Sequence, residues 1–245
     1  MANLPSIGDL PTLIETRIAW HSLAEHVLAR ALHDVTGRIG LRVTPDGYGT
    51  PPYDRGGQRE ALHVVGNELR VARGDVTVAH PLTTLGDAAK AAGIEPGAPA
   101  NVYPSVTPFD PDAPLAIDVD AARVLSTWFE LGWSVLEELR LLAGNEAAPS
   151  TLTLWPEHFD AAIELGREDL GERGTFGVSP GDAEHPEPYL YVTHWTDVPD
   201  DRYWNDTAFA GASMPYATVA NATSAHGTTL DFFRAGLTRL SAAPA

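Results

Sequence analysis

Apolar residues recur at helical spacing near the start of the chain. Trp20, Leu23, Ala24, Val27, Leu28, Ala31 and Val35 form one stripe, which predicts a helix over about residues 11–35 with that stripe turned inward. Asp9 or Ser6 can cap its start, and Gly37 stops it. The period then shortens to two. Residues 39–44, 61–65, 68–72 and 76–80 read as short strands. Gly66-Asn67 and Arg73-Gly74-Asp75 supply tight turns between them, so an antiparallel meander is expected. The Gly-, Pro- and Tyr-rich stretch 47–57 reads as a loop, and residues 84–92 as a short helix capped by Thr83 or Thr84.

Residues 95–116 carry Pro96, Pro99, Pro104, Pro108, Pro111 and Pro114 and few helix formers, the mark of an extended connector. Val102, Tyr103, Val106 and Phe109 are expected to pack it against the body. A long helix follows over about 119–143, capped by Asp118, with a wide apolar face that includes Leu125, Trp128, Phe129, Val135, Leu136 and Leu139. Candidate strands then cover 151–155, 158–165, 175–178, 189–195 and 207–212, and a last helix covers about 228–240. The expected fold is α+β, with antiparallel sheet strands packed against long helices. The order of elements also allows two pseudo-symmetric halves. One domain over 1–245 is favoured; lobes 11–94 and 117–241 joined by connector 95–116 are the alternative.

Composition narrows the chemistry. The 245 residues carry 33 acidic and 16 basic side chains, a net charge of −17. No basic run offers a surface for nucleic acid or an anionic membrane. Lys90 is the single lysine and there is no cysteine, which removes disulfides and thiolate chemistry and leaves Lys90 as the one Schiff-base candidate. The arginine, alanine, glycine and proline bias suggests a high-GC, actinobacterial genome. No basic n-region followed by an apolar h-region opens the chain, and no apolar run is long enough to span a bilayer, so a soluble cytoplasmic protein is expected.

The segments Asp118–Arg123 through Trp128, Leu136–Leu139, Leu154-Trp-Pro-Glu-His-Phe-Asp160, Glu187-Pro-Tyr-Leu-Tyr-Val192 and Thr229–Phe233 resemble a bacterial domain-of-unknown-function family, DUF5996. In order, the resemblance covers about residues 15–240. It implies one structural unit and no particular activity.

The residues richest in chemistry lie in the second half. As a strand, 158–165 would place His158, Asp160, Ala162 and Glu164 on one face. His158 and Asp160 could then act as an oriented general base, or belong to an ordinary solvated strand face. Tyr189, Tyr191, Thr193 and Trp195 share one face of the next aromatic strand, with Leu190 and Val192 on the other. Together with Trp155 and Glu187 they are candidates to wall a groove for a sugar or another small organic ligand. A small-molecule-binding protein, or an enzyme without a recognisable motif, is the leading expectation. A non-catalytic interaction module or homodimer is the alternative.

No metal or cofactor is expected. His21 and Glu25 share a helical face, but in α-helical geometry His26 is turned about 140° from His21, unlike a zinc-binding helix. The acidic loop 197–206 lacks the spacing of a calcium loop. Gly211-Ala-Ser213 lacks the second glycine of a nucleophile elbow, and no phosphate-cradling glycine motif occurs.

Overall fold

The computed structural model describes residues 4–196, 198 and 201–240. It is an α+β protein with two antiparallel sheets packed against helices. The chain divides into two compact units. The N-terminal unit holds Ile7–Glu130 with Leu154–Phe159; the C-terminal unit holds the first six residues, Leu131–Thr153 and 160–245.

The N-terminal unit opens with helix α1, Leu10–Leu23, whose N-cap Asp9 accepts the Thr12 amide. The expected single helix continues from there, but not uniformly. Ala24–Ala29 form a π-helical turn before α2, Arg30–Thr36, ends at left-handed Gly37. A π-turn inserts an extra residue into the helical ladder and is often found where a side chain must be re-aimed. The stripe residues from Trp20 to Ala31 are buried as expected, and Val35 lies outside at the helix end.

Against this helix lies a six-stranded sheet: β1 (Arg42–Thr44), β2 (Gly47–Gly49), β3 (Tyr53–Arg55), β4 (Gln58–Val65), β5 (Glu68–Arg73) and β6 (Val76–Pro81). Its order is β1-β2-β4-β5-β6, with β3 pairing β4. The expected loop 47–57 thus contains two strands. Gly47 and Gly49 pack so closely on the Val64 and Leu62 carbonyls that any Cβ would overlap them. Glycine here serves backbone approach rather than flexibility. Tyr48 between them is fully buried against Trp20, its hydroxyl donating to the Trp20 carbonyl at 2.5 Å. Helix α3, Leu85–Ala92, is capped by Thr84 on the Asp87 amide and packs on β5 and β6.

The proline-rich connector belongs to this unit. Val102 and Val106 are exposed, contrary to the expected packing, whereas Tyr103 is half-buried and the Phe109 ring, though partly exposed, lies 4.9 Å from the His26 ring, as expected. Polar bonds, described below, also anchor the segment.

Helix α4 runs Val119–Ala143, the expected span, with Asp118 accepting the Asp120 and Ala121 amides. Its residues through Glu130 belong to the N-terminal unit and those from Leu131 to the C-terminal unit. In the latter, β8 (Asp160–Leu165), β9 (Gly174–Ser179), β10 (Tyr189–His194) and β11 (Gly211–Pro215) form a sequential antiparallel meander; the short β7 (Thr153–Trp155) falls on the boundary between units. Ala161, Ile163, Phe176, Val178, Leu190, Val192 and Ala212 make its buried face. Gly132 of α4 sits directly on Val178, where a Cβ would overlap the valine. Helix α6, Ala225–Leu240, covers β9 and β10, with Phe233 edge-on to Phe176 at 6.1 Å. The short helix α5, Tyr216–Ala220, joins β11 to α6. Each unit therefore combines helices with one antiparallel sheet, but the strand orders differ.

Candidate functional site

The second face of the C-terminal sheet is polar and aromatic, and Asp160, Ser179 and Tyr189 on it are buried. Register places Asp160, Ala162 and Glu164 of β8 beside Thr175, Gly177 and Ser179 of β9, then Tyr189, Tyr191 and Thr193 of β10, then Gly211, Ser213 and Pro215 of β11. Leu190 and Val192 are fully buried on the opposite face. The expected parity of the aromatic strand therefore holds, and its tyrosines share a face with Asp160.

The Tyr191 ring lies across Gly177, and its hydroxyl donates to Asp160 Oδ2. Only a glycine leaves room for the ring at that position. Tyr189 donates to Asp182 Oδ2 at 2.5 Å. Burial, with the facing carboxylate second, pushes both phenols above their ordinary range, so both remain protonated donors. Asp182 also accepts the Glu184 and His185 amides, which folds the turn after β9 back toward Tyr189.

That turn brings in His185, which the sequence reading passed over. Its ring lies 4.5 Å from Tyr189, and its Nε2 sits 2.9 Å from Asp206 Oδ2. Burial raises the Asp206 pKa, but Ser213, the Ala208 amide and the His185 imidazole outweigh it and leave the carboxyl below its usual range. Phe209 packs near His185, Tyr189 and Tyr191, at 6.0, 6.5 and 6.2 Å. The face thus holds three acid–aromatic pairs: Asp160–Tyr191, Asp182–Tyr189 and Asp206–His185.

The remaining sequence candidates are placed differently. Strand β8 begins at Asp160, not at His158; His158 is exposed in the turn before it. Phe159 between them has a left-handed φ of 54° and a fully buried ring edge-on to Tyr48 and Phe129. Burying that ring forces the backbone out of the extended conformation, and strand alternation no longer relates His158 to Asp160. Trp155 and His158 belong to the N-terminal unit. Trp195 stands one residue past β10, 46% exposed, donating its indole N–H to Thr175 and lying 5.1 Å from the Arg173 guanidinium. Glu187 is exposed two residues before β10. His194 faces the core side, as parity predicts, edge-on to Trp204. Part of the acidic loop, residues 197, 199 and 200, lies outside the described residues.

An open cleft of about 960 Å³ lies elsewhere on this unit, lined by Asn145, Glu146, Arg167, Glu168, Asp169 and Arg173. Its arginines are occupied: Arg167 pairs with Asp169, and Arg173 holds Glu164 and the Ala148 and Gly166 carbonyls.

The N-terminal unit has its own polar cluster at the π-turn. Glu25 is fully buried, yet its carboxylate accepts the Val106 amide at 3.1 Å and the Thr107 amide at 2.8 Å, together with the Thr107 hydroxyl. His26 Nε2 lies 3.0 Å from the same hydroxyl. The expected separation of His26 assumed α-helical rotation; in the π-turn Glu25 and His26 both reach Thr107. This carboxylate holds residues 105–107 in place, next to the contact of Phe109 with the His26 ring. Among the described residues no group of three or more His, Asp or Glu side chains is placed to hold a metal ion.

His21 stacks on Phe159 at 5.2 Å, with its Nε2 2.8 Å from the Pro156 carbonyl. Burial lowers its pKa to about 4, against opposing pulls from Glu25 and that carbonyl; Arg17 and His158 add to the lowering. The unfolded chain takes up this proton near pH 6.5, the folded one only near pH 4. Stability from neutral His21 is therefore complete above pH 6.5 and falls as pH drops, by about 3 kcal/mol in all. Urea melts from pH 7.5 to 4.5 are expected to show this slope reduced in His21→Gln. An unchanged slope would place the proton uptake elsewhere.

No family model, no curated protein and no solved structure matches the chain. Among the described residues no helix is long and apolar enough to cross a membrane.

Proposed function

We propose that the protein binds a small polar organic molecule, such as a sugar, on the face of the C-terminal sheet that carries Tyr191 and Trp195. The observation that carries this reading is the concentration of acid–aromatic pairs on one sheet face, beside the exposed Trp195 indole. Aromatic surfaces stack on ligand rings, while fixed carboxylates and hydroxyls orient them. Tyr189, Tyr191 and Trp195 keep their expected part as ligand-binding groups, and Asp160, expected as the orienting partner of His158, becomes a recognition group bonded by Tyr191. His185 with Asp206 takes over the part first given to His158 with Asp160. If a reaction occurs on this face, His185 is the group that moves the proton, with Asp206 orienting it. Membership of the DUF5996 family is part of this proposal and rests on the sequence motifs alone.

Native mass spectrometry of protein purified from its own host tests the reading. Wild type is expected to retain a small-molecule adduct that Asp160→Asn and Trp195→Ala both lose. Wild type without an adduct, and without a thermal shift against a panel of sugars and small organic compounds, would sink it. His185→Ala separates the two forms: a binder shows weaker retention, whereas an enzyme accumulates bound substrate. The alternative, an interaction module, draws on a different observation, the exposed strand β6.

A further inference from the structure

In the N-terminal unit, the turn at Pro156–Phe159 packs on His21, and the connector packs on Glu25 and His26. Each of these three segments carries a buried polar atom without a hydrogen-bond partner: His26 Nδ1 in the π-turn, the Tyr103 hydroxyl in the connector and Glu157 Oε2 in the turn. Folded proteins leave few buried polar atoms unsatisfied, and those that remain point to a water, an ion or a ligand. The π-turn itself is a distortion that recurs at functional sites.

The hydrogen bonds fix the state of His26, whose side chain is buried. The Thr107 hydroxyl has one proton and donates it to Glu25 Oε2, so at its 3.0 Å contact with His26 Nε2 it accepts. Nε2 therefore carries the imidazole proton, and Nδ1 is a bare lone pair. Burial lowers the pKa of His26 and of His21 against the pull of Glu25, which keeps both rings neutral at pH 7.

Charge is a separate observation. Both Glu25 oxygens accept from the connector. Burial, then Glu25, then Glu157 push the Tyr103 phenol above its ordinary range, so both carboxylates act on this one hydroxyl, which stays a protonated donor. Among the described residues no Lys or Arg forms an ion pair with Glu25 or Glu157; Arg30 pairs with Asp34, and Arg55 and Arg73 pair with Glu60. A water molecule satisfies hydrogen bonds but leaves this negative charge uncompensated.

We propose that His26, Tyr103 and Glu157 form a second binding site, in the N-terminal unit, for a small organic cation that carries N–H donors and one oxygen acceptor. Its ammonium group donates to Glu157 Oε2 and His26 Nδ1, and Tyr103 donates to its oxygen. Glu25 adds negative charge while it holds residues 105–107. Phe109, 4.9 Å from the His26 ring and 51% exposed, offers the cation an aromatic face. Tyr103 and Glu157 are only half-buried, so the site lies just beneath the surface. The described residues place no three His, Asp or Glu side chains around one point as a metal ion requires, which favours an organic cation. The Leu154–Asp160 motif enters this site through Glu157, whereas His158 is exposed.

Titration with ethanolamine at constant ionic strength tests this, read by the ring nitrogen-15 resonances of His26 and by thermal melting. Ethanolamine is expected to shift the Nδ1 resonance upfield, as a hydrogen bond to a bare lone pair does, and to raise the melting temperature. Tyr103→Phe and Glu157→Gln each remove one contact at a half-buried position and are expected to weaken binding about tenfold with little change in the ligand-free melt. Ethylene glycol, similar in shape but uncharged, is expected to leave the resonance in place. The proposal is overturned if neither ethanolamine nor methylguanidinium moves the resonance up to roughly 50 mM, far above a millimolar Kd. Equal binding of ethylene glycol would assign the three atoms to water or a neutral ligand and overturn it too. So would binding that survives Glu157→Gln undiminished, or stabilisation by magnesium with ethanolamine inert.

Discussion

Glu25→Leu is expected to lower the melting transition of the N-terminal unit by roughly 5–15 °C, from a loss of about 2–4 kcal/mol. The carboxylate is fully buried and accepts two amides and the Thr107 hydroxyl from the connector. Leucine fills similar volume but accepts nothing, so these donors lose their partner inside the protein. Removing one member of a buried polar set costs the desolvation of those left behind, which exceeds the worth of the bond itself. Glu25→Gln keeps one acceptor oxygen and should lie between. A second readout is local. Phe109, followed by Asp110, flanks the anchored residues, so chymotrypsin is expected to cut the Glu25→Leu connector after Phe109 much faster than wild type. Equal melting and equal cleavage would show that the connector is held by something else.

Gly177→Ala is expected to destabilise the C-terminal unit by about 2–4 kcal/mol, the cost of an overpacked methyl together with a broken charge-assisted hydrogen bond. The added Cβ would occupy the space of the Tyr191 ring. The strand below cannot yield, since it pairs on both sides. The ring must swing away, and Asp160 loses its phenol donor. A double-mutant cycle isolates this account: in a Tyr191→Ala background, Gly177→Ala should cost little. An undiminished cost there would show that the strain lies in the backbone. If the proposed ligand face is correct, Gly177→Ala also loses the retained adduct.

How far these sites were legible follows from the range of the forces involved. The long helix of residues 119–143 was readable because its apolar periodicity and Asp118 cap are local. The Gly66-Asn67 hairpin was readable for the same reason, since a turn residue with φ of 56° acts on its own neighbours. The strand at Gly47–Gly49 was not. Glycine signals a loop when read locally, and its use for close approach to Leu62 and Val64 exists only once β4 lies beside it. Strand parity correctly put Tyr191 and Asp160 on one side of the sheet. It failed at His158, because burial of the Phe159 ring outweighed the extended preference of one residue. His185 carried no signal of its own; it becomes notable only when the turn after β9 and the loop before β11 bring it to Asp206.

From the sequence alone came the α+β class, most helix limits, the hairpin turns and the inward faces of the strands around Ile163 and Val192, all set by neighbours a few positions apart. Tertiary structure decided which polar groups meet. Glu25 found the connector some eighty residues on, and Tyr191 found Asp160 across the intervening strand β9. Such pairings depend on register and burial, where desolvation sets the energetic stakes and no short-range pattern records the partner.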